Sequence, residues 1–337
     1  MKLVNFVVLN DERRHIRIGA VVGNAIVDLH AAESWAQGAR GLRPALPDFV
    51  SHAEPMLPLI ASGAVEQARE ILRALEGEQP LQLRSAHRQR VAHSIESVRL
   101  ISPVPLPTSL RDFYAFEQHV RVARANRGAD MIPDWYDIPV FYFGNHTAIL
   151  GPDDPVRRPK ASQALDFELE LACVIGRRGK DIPAPDAQRY IFGYTIMNDW
   201  SARDVQLKEM KVGLGPAKGK DFATSLGPWL VTPDEIEDRR IERGDKGSVY
   251  DLSMTARVNG AERSRGNWKD IYFTFAQMIE RASADAWLHA GDVIGSGTVG
   301  TGCLLELTSG QGPWLNPGDV VELEVERLGV LRNRVVE

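Results

Sequence analysis

The hydrophobic pattern divides the chain into a short first part and a longer second part. In residues 3–29, apolar and polar positions alternate in short runs, which is typical of strands joined by hairpins. Residues 45–95 instead carry apolar side chains at helical spacing. The alternating prolines of residues 101–107 then favour extended backbone. We therefore predict a small α/β N-terminal domain over residues 1–98 and a larger domain over residues 99–337.

The larger domain is rich in extended segments. Short apolar or alternating runs predict strands at 141–143, 165–175, 193–197, 229–231, 250–259, 292–294, 304–308 and 320–325. Helical patterns cover only about 115–127, 200–211 and 268–283. Many strands with few helices between them indicate a mixed, β-rich α/β fold with a curled or barrel-like sheet, and they argue against a Rossmann sheet.

Composition and charge exclude several classes of protein. Hydrophobic residues make up 44% of the chain and charged residues 25%, which is typical of a globular protein and not of a disordered or fibrous one. The net charge is −5 without blocks of like charge, so we expect no nucleic-acid and no membrane partner. No segment approaches the ~20 apolar residues that span a bilayer, and no signal peptide is recognisable. A cytoplasmic protein is expected.

The two cysteines, Cys173 and Cys303, lie in apolar stretches. Neither belongs to a CxxC pair or has a histidine close by in the sequence, so a zinc knuckle is not expected. Both are predicted to be small buried hydrophobes in a reducing compartment.

Three acids alternate with apolar residues in the string LDFELEL. In a strand, Asp166, Glu168 and Glu170 share one face, with neighbours about 7 Å apart. One interpretation is a half-exposed strand with a solvated acidic face. The other is a set of carboxylates that converge on a cation, which would remove the repulsion between like charges in an element where acids are depleted.

Other polar residues allow a structural and a functional interpretation. Asp199 ends an apolar strand before a helix and is either an N-cap or a ligand. Asp112 follows the Pro-rich linker and is either a cap of the helix that comes next or a ligand. His119 comes seven residues later, on the same helical face. Such a histidine is often structural. Lys220, between glycines, is either solvated or held over an anion or enolate.

The segment from Gly295 to Glu306 gives two weaker signals. The glycine-rich run GSGTVGTG lacks the lysine of a phosphate-binding loop and opens no obvious helix, so a tight turn is the better interpretation. Glu306 follows inside the apolar stretch predicted as a strand. A glutamate there needs a partner if it is buried, because an unpaired buried carboxylate is costly.

In chain order, the strings RDFYAFEQH, LDFELELACVIG, IFGYTIMNDWSARDVQ, GKDF, GSGT and LLEL resemble the fumarylacetoacetate hydrolase family. The resemblance covers roughly two thirds of the chain, and MNDWSARD and the ExE strand are its most specific parts. It implies a β-roll of mixed sheets behind the small N-terminal α/β domain. It also implies a metal site of hard oxygen donors, suited to Mg²⁺, Ca²⁺ or Mn²⁺. The implied metal ligands are Asp112, Glu168, Glu170 and Asp199.

The resemblance implies further roles by matching position. His119 is the general base, Glu306 orients it, and Lys220 contacts the metal-side acids and substrate oxygens. The implied substrate-binding residues are Tyr142, Gln206, Thr298 and Arg127. The chain departs from the animal enzymes at two substrate positions: Gly128, flanked by Arg127, stands in place of an arginine, and Met210 in place of a tyrosine. The substrate's identity therefore stays open.

The implied reaction is hydrolysis of a carbon–carbon bond in a 1,3-diketo acid of the fumarylacetoacetate or acylpyruvate type, as in aromatic amino acid catabolism. A His-activated water and a metal-stabilised enolate would carry it. One alternative is a decarboxylase or isomerase of oxaloacetate-like or aromatic-catabolite keto acids on the same metal site. Another is a non-catalytic binding protein that retains the fold. We expect a homodimer through the larger domain, as in many relatives, because strand-rich domains have edges to cover.

Overall fold

The computed structural model describes residues 1–12, 15–43, 45–47, 56–126 and 128–337. The strands are β1 Lys2–Val8, β2 Arg17–Val22, β3 Ala25–Asp28, β4 Ala92–Ser94, β5 Val98–Ile101, β6 Leu110–Phe113, β7 Phe141–Gly144, β8 Ile149–Leu150, β9 Pro155–Arg157, β10 Leu165–Asp166, β11 Leu169–Ile175, β12 Gly179–Lys180, β13 Ile191–Asp199, β14 Ser201–Ala202, β15 Thr224–Val231, β16 Arg240–Glu242, β17 Ser248–Tyr250, β18 Ser253–Val258, β19 Ala261–Asn267, β20 Trp287–Leu288, β21 Val293–Gly295, β22 Val320–Val325 and β23 Gly329–Val336. The α-helices are α1 Leu29–Arg40, α2 Met56–Ser62, α3 Val65–Ala74, α4 Glu117–Ala125, α5 Arg203–Val212, α6 Phe275–Ser283 and α7 Leu304–Leu307.

A mixed sheet of twelve strands dominates the fold. Its main path runs β4-β3-β2-β1-β15-β13-β11-β21-β6-β7, with β5 paired to β1 and β8 paired to β15. Most pairs are antiparallel, whereas β6 runs parallel to β21. Within the described residues the two ends of this path do not pair, so the sheet is open and is not a closed barrel. A second sheet, β19-β18-β22-β23-β9, packs with it, and the mixed, β-rich α/β class is confirmed.

The centre of the large sheet is a buried antiparallel pair, β11 and β13. Every residue of both strands is buried, as expected for strands covered on both faces. Leu169 faces Asn198 and Glu170 faces Met197. This register brings the start of β11 next to the end of β13. The acidic residues of both strands therefore lie at the same end of this strand pair.

The N-terminal segment joins the same sheet. Leu3 of β1 faces Leu230 of β15 in an antiparallel pair, and α1 begins where Asp28 accepts hydrogen bonds from the N–H groups of His30 and Ala31. Of the helical region predicted for 45–95, residues 48–55 lie outside the described residues. The described part contains α2 and α3 and then gives way to β4. The division into domains at residue 98 stays a prediction. No described helix is long and apolar enough to cross a bilayer, and the cytoplasmic location stays a prediction as well.

The segment predicted as a strand at 304–308 is instead the short helix α7. Asp166, far away in the sequence, accepts hydrogen bonds from the backbone N–H groups of Leu304 and Leu305, at 2.8 and 3.0 Å. These first-turn groups have no partner inside a helix, so a carboxylate that binds them favours helix formation there. The apolar pattern was wrong about this element because the deciding contact is not local.

A second difference concerns Asp112. The structural interpretation made it a helix cap with His119 on the same helical face, but Asp112 lies in strand β6, and α4 begins only at Glu117. Asp199 is not a helix cap either. It is the last residue of β13, and α5 begins after Ala202.

Candidate active site

Three buried carboxylates meet where strands of the large sheet begin or end. Asp112 of β6, Glu170 of β11 and Asp199 of β13 each offer an oxygen, and these oxygens lie within 4.8 Å of one another. Gly295 of β21 makes the approach possible, because a Cβ at this position would collide with the carboxylate of Asp112. The half-exposed strand is therefore the wrong interpretation of the ExE pattern, since both Glu168 and Glu170 are buried.

Glu168, the fourth predicted ligand, lies beside this carboxylate cluster and is paired with two positively charged side chains. Its Oε1 is 2.8 Å from Nη2 of Arg203, and its Oε2 accepts a hydrogen bond from Nζ of Lys220. Its backbone N–H donates to the side chain of Asn198 at 2.9 Å. The structure thus brings three of the four predicted ligands directly together and holds the fourth next to them.

The pKa shifts show an excess of buried negative charge. Burial and the nearby Asp199 raise the pKa of Asp112 well above its usual value, and burial together with Asp112 does the same to the pKa of Glu170. Burial also raises the pKa of Asp199, against the effect of Lys220. For Glu168, by contrast, Lys220 and Arg203 outweigh burial and lower the pKa. A bound cation would relieve the repulsion within the cluster.

Two buried oxygens in the carboxylate cluster have no hydrogen-bond partner in the described structure: Oε2 of Glu170 and Oδ1 of Asp199. Leaving buried polar atoms unpaired is costly, so such atoms call for a ligand. Carboxylate oxygens are the donors that Mg²⁺, Ca²⁺ and Mn²⁺ prefer. The residues therefore fit a divalent cation, and the arrangement points to a metal site.

Lys220 and Tyr142 place hydrogen-bond donors on the cluster. Lys220 Nζ donates to Glu168 and Asp199, and these carboxylates raise the pKa of Lys220 although burial alone would lower it, so the amine stays charged. The Tyr142 hydroxyl donates to Oδ2 of Asp199 at 2.6 Å. Burial and Asp199 raise the pKa of Tyr142 well above its usual value, so the hydroxyl keeps its proton.

The other predicted substrate-binding residues differ in how close they lie to the carboxylate cluster. Thr298 is buried, and its Oγ1 lies 3.2 Å from Oε1 of Glu170, so it borders the carboxylate cluster. Gln206 of α5 accepts a hydrogen bond from Arg203 at 3.1 Å, one side chain away from Glu168. Arg127 lies outside the described residues.

His119 of α4 and Glu306 of α7 form a buried pair. Nδ1 of His119 lies 2.5 Å from Oε1 of Glu306, whose Oε2 accepts the backbone N–H of Thr301 at 3.0 Å. The carboxylate thus assigns the Nδ1–H tautomer and leaves Nε2 as the acceptor. Tyr114 packs edge-on against the imidazole. His119 also contributes to lowering the pKa of Glu168, which places the pair near the carboxylate cluster.

Sequence reasoning did not identify Arg203 as part of the site. Its buried guanidinium contacts Oδ2 of Asp166 through Nε at 2.8 Å and also pairs with Glu168. Asp166, predicted to share a face with the two glutamates, instead belongs to the separate strand β10 and binds Arg203 and the start of α7. The only signal in the sequence was an arginine at the junction of an apolar strand with a helix.

Replacing Arg203 by methionine should lower the free energy of unfolding by about 3–5 kcal/mol, because buried Asp166 would lose its cationic partner and buried Glu168 one of its two. Urea denaturation measures this loss. Arg189→Met is the matched control, since Arg189 is exposed and pairs with Asp186 at the surface, where about 0–1 kcal/mol is expected. Equal losses in the two variants would contradict this assignment.

Cys303 is buried, as predicted, but its surroundings are not purely apolar. No histidine is near it in the sequence, but the structure places it with His119 and Glu306, and its Sγ lies 3.6 Å from Oε1 of Glu306. Cys173 lies in β11 and is buried, as predicted.

Several known proteins are similar to this chain over most of its length. Fumarylacetoacetase of Arabidopsis thaliana is 31% identical over 320 residues, which cover 81% of this chain and 74% of that protein. Oxaloacetate tautomerase Fahd2a, mitochondrial, of Rattus norvegicus is 30% identical over 347 residues, covering 100% of this chain and 92% of the relative. The crystal structure of maleylpyruvate hydrolase from Sphingobium sp. SYK-6, in complex with manganese(II) ion and pyruvate, is similar with a TM-score of 0.66 at 25% identity, covering 100% and 99% of the two chains.

The family assignment rests on a match over most of the chain. Residues 108–336 fit the family model described as fumarylacetoacetate (FAA) hydrolase C-terminal. This range contains both the carboxylate cluster and the His119–Glu306 pair. The protein is therefore a member of the fumarylacetoacetate hydrolase family.

Proposed function

We propose that this protein is a divalent-metal-dependent hydrolase that cleaves a carbon–carbon bond in a 1,3-diketo acid of the fumarylacetoacetate or acylpyruvate type. The observation that carries the proposal is the buried His119–Glu306 pair beside the carboxylate cluster. A hydrolase needs a general base that can activate water next to an electron sink. The similarity to a fumarylacetoacetase and to a maleylpyruvate hydrolase supports the same reaction class.

The His119–Glu306 pair would act on the attacking water. Because Nδ1 donates to Glu306, Nε2 of His119 is the unprotonated nitrogen that would accept a proton from water as the water attacks a substrate carbonyl. The Glu306 carboxylate then stabilises the imidazolium and holds its orientation. The proton is later available to the leaving carbon or enolate oxygen. His119 would therefore act first as the base that accepts the proton of water and then as the acid that donates it to the leaving group.

The chain would stabilise the leaving enolate with donors that are already in place. A divalent cation, when bound, supplies Lewis-acid stabilisation of negative charge on oxygen, and Mg²⁺, Ca²⁺ and Mn²⁺ all suit this chemistry. The residues that would hold it are Asp112, Glu168, Glu170 and Asp199. Lys220 uses two of its three N–H groups on Glu168 and Asp199, so one remains for a substrate oxygen.

The substrate would be oriented by polar groups around the carboxylate cluster. Their positions next to the cluster suit contacts with keto and carboxylate oxygens. We propose this role for Tyr142, Gln206 and Thr298, and also for Arg127 by its place in the sequence. The bound substrate is expected to be a small keto acid, and the lack of nucleic-acid and membrane partners stays a prediction.

A second candidate function is tautomerisation or decarboxylation of an oxaloacetate-like keto acid. The observation that favours it is the 30% identity to an oxaloacetate tautomerase across the whole chain. Both reactions use an enolate and the same carboxylate cluster, but neither needs an attacking water. The use of His119 in hydrolysis is what separates the two candidates.

The test is turnover of a substrate panel with Mg²⁺ in water enriched in oxygen-18. The panel contains acylpyruvates, fumarylacetoacetate, maleylpyruvate and oxaloacetate. Hydrolysis forms a new carboxylate that carries one solvent oxygen, whereas tautomerisation and decarboxylation form none. We expect labelled acid from a 1,3-diketo acid. Turnover of oxaloacetate alone would reject the hydrolase and favour the second candidate, and no turnover of any substrate would favour a binding protein.

We also propose that the protein is a homodimer through residues 99–337. Two apolar side chains near the end of α5, Val212 and Leu214, are 84% and 85% exposed, and covering them would be favourable. Light scattering at micromolar concentration should therefore give twice the chain mass of 37.4 kDa. A mass of one chain under these conditions would contradict the proposal.

A further inference from the structure

We propose that His119, Cys303 and Glu306 form a second metal site, selective for a borderline-soft cation such as Zn²⁺ and separate from the carboxylate cluster. An imidazole nitrogen, a thiol sulfur and a carboxylate oxygen lie within 4.8 Å of one another. All three side chains are more than nine-tenths buried. This donor set matches zinc sites with three protein ligands and one open position for water.

One of two ligand-atom distances in this site already suits a bound ion, and the other must lengthen. Cys303 directly precedes α7, which carries Glu306 three residues later, and α4 packs against α7 and supplies His119. Ligand atoms on a tetrahedral zinc ion lie roughly 3–4 Å apart, given bonds of about 2.0–2.3 Å. The 3.6 Å between Cys303 and Glu306 already fits. The His119–Glu306 distance of 2.5 Å must open by about 1 Å, so that the ion replaces the hydrogen bond.

The chemistry of the donors separates this site from the carboxylate cluster. Thiolate and imidazole select zinc and similar ions, whereas Mg²⁺ and Ca²⁺ prefer oxygen. Saturating Mg²⁺ should therefore leave the cysteine-containing site free for zinc. Burial and the negative charge of Asp166 raise the pKa of the Cys303 thiol, so without an ion the thiol is neutral and unreactive.

Binding of the ion displaces protons in a defined way. The Cys303 S–H bond breaks, its proton leaves to solvent, and the sulfur coordinates the cation. The Nδ1 proton of His119 is also displaced, and a proton returns to Nε2, so the imidazole stays neutral. One proton is released for each ion bound. An Nε2 that carries a proton cannot accept one from water, so zinc should inhibit hydrolysis. This last step rests on the proposed function of His119.

The binding test uses Co²⁺ as a spectroscopic probe of the full-length protein in saturating Mg²⁺. We expect a thiolate-to-cobalt charge-transfer absorption in the near ultraviolet, saturating at one ion per chain, and its loss on addition of excess Zn²⁺. Cys303→Ala should lose the band, and Cys303→Ser, which keeps the size and a hydrogen-bonding group, decides the matter if the alanine variant does not fold. Cys173→Ala is the matched control, because that buried cysteine has no such donors around it among the described residues.

The inhibition test measures rates against Zn²⁺ in saturating Mg²⁺, each divided by the zinc-free rate of the same variant. Cys303→Ser should weaken inhibition by at least about tenfold, the lower range for disturbing even an outer partner of a metal ligand. Cys173→Ala should respond like the original protein. A missing cobalt band, or a band that persists without Cys303, would overturn the site. Equal inhibition of all variants would place zinc in the carboxylate cluster and overturn the inhibitory role. If no substrate is turned over, the cobalt spectrum still decides the site, so failure of the proposed function is distinguishable.

Discussion

His119→Ala should lower kcat for an acylpyruvate by about 10²–10⁴, the usual contribution of a positioned general base, while Mg²⁺ binding stays close to that of the original protein. The physical reason is the separation of roles. In the proposed mechanism, Nε2 of His119 would take the proton of the attacking water, whereas the oxygens of the carboxylate cluster would hold the cation. The measurement combines steady-state kinetics with calorimetric titration of Mg²⁺ into each variant.

Two further variants sharpen this experiment. Glu306→Gln keeps the size of the side chain but removes the charge that stabilises the imidazolium, so kcat should fall here too. His87→Ala is the matched control, because His87 is exposed and lies in the N-terminal segment. Near-normal hydrolysis by His119→Ala with metal bound would defeat the hydrolase assignment. If that variant kept only oxaloacetate turnover, the second candidate function would be favoured.

Removal of divalent cations by a chelator should abolish activity and lower the melting temperature. Asp112, Glu170 and Asp199 repel one another when they are charged, and two of their buried oxygens have no other partner among the described residues. A ligand at about a thousand times its Kd stabilises the folded state by about 4 kcal/mol, and this contribution disappears with the ion. Differential scanning calorimetry with and without chelator measures it.

Glu170→Gln provides the internal check on this prediction. The change removes a buried carboxyl whose pKa is raised by burial and by Asp112, so the metal-free variant should melt no lower than the metal-free original protein. Its melting temperature should respond little to a chelator. Glu324→Gln, at the surface beside Arg257, should respond as the original protein does. A chelator that leaves the original protein's melting temperature unchanged would show that the carboxylates hold no cation.

The parts of the site that could be predicted from sequence are those set by local pattern. The alternating string LDFELEL singled out Glu168 and Glu170, although only Glu170 lies in β11 and Glu168 just precedes it, and the end of an apolar run placed Asp199 at the end of a strand. The resemblance added Glu306 as the partner of His119, and the 2.5 Å contact agrees with it. The local sequence pattern was sufficient to predict these residues because their strand conformation depends mainly on the residues next to them in the chain.

The rest could not be predicted because it depends on contacts between distant segments. Asp166 binds the N–H groups that begin α7, and this turned an apolar run that favours a strand into a helix. The same turn carries Cys303 and Glu306 to His119, which is far away in the sequence. Arg203 was missed for the same reason, since its partners become neighbours only when β10 and α5 pack together.

The pairing of β1 with β15 has a consequence for biosynthesis. Leu3 pairs early with Ala20 of β2, but the pairing of Lys2 and Leu3 with β15 can form only when Val231 and Leu230 have been translated, and β15 also joins β1 to β13. At roughly 5–20 residues per second, the start of β1 therefore waits on the order of ten to fifty seconds for this pairing. An unpaired strand edge is a template for wrong association. High expression rates should therefore favour aggregation of nascent chains, and slower translation or chaperone supply should raise the yield of folded protein.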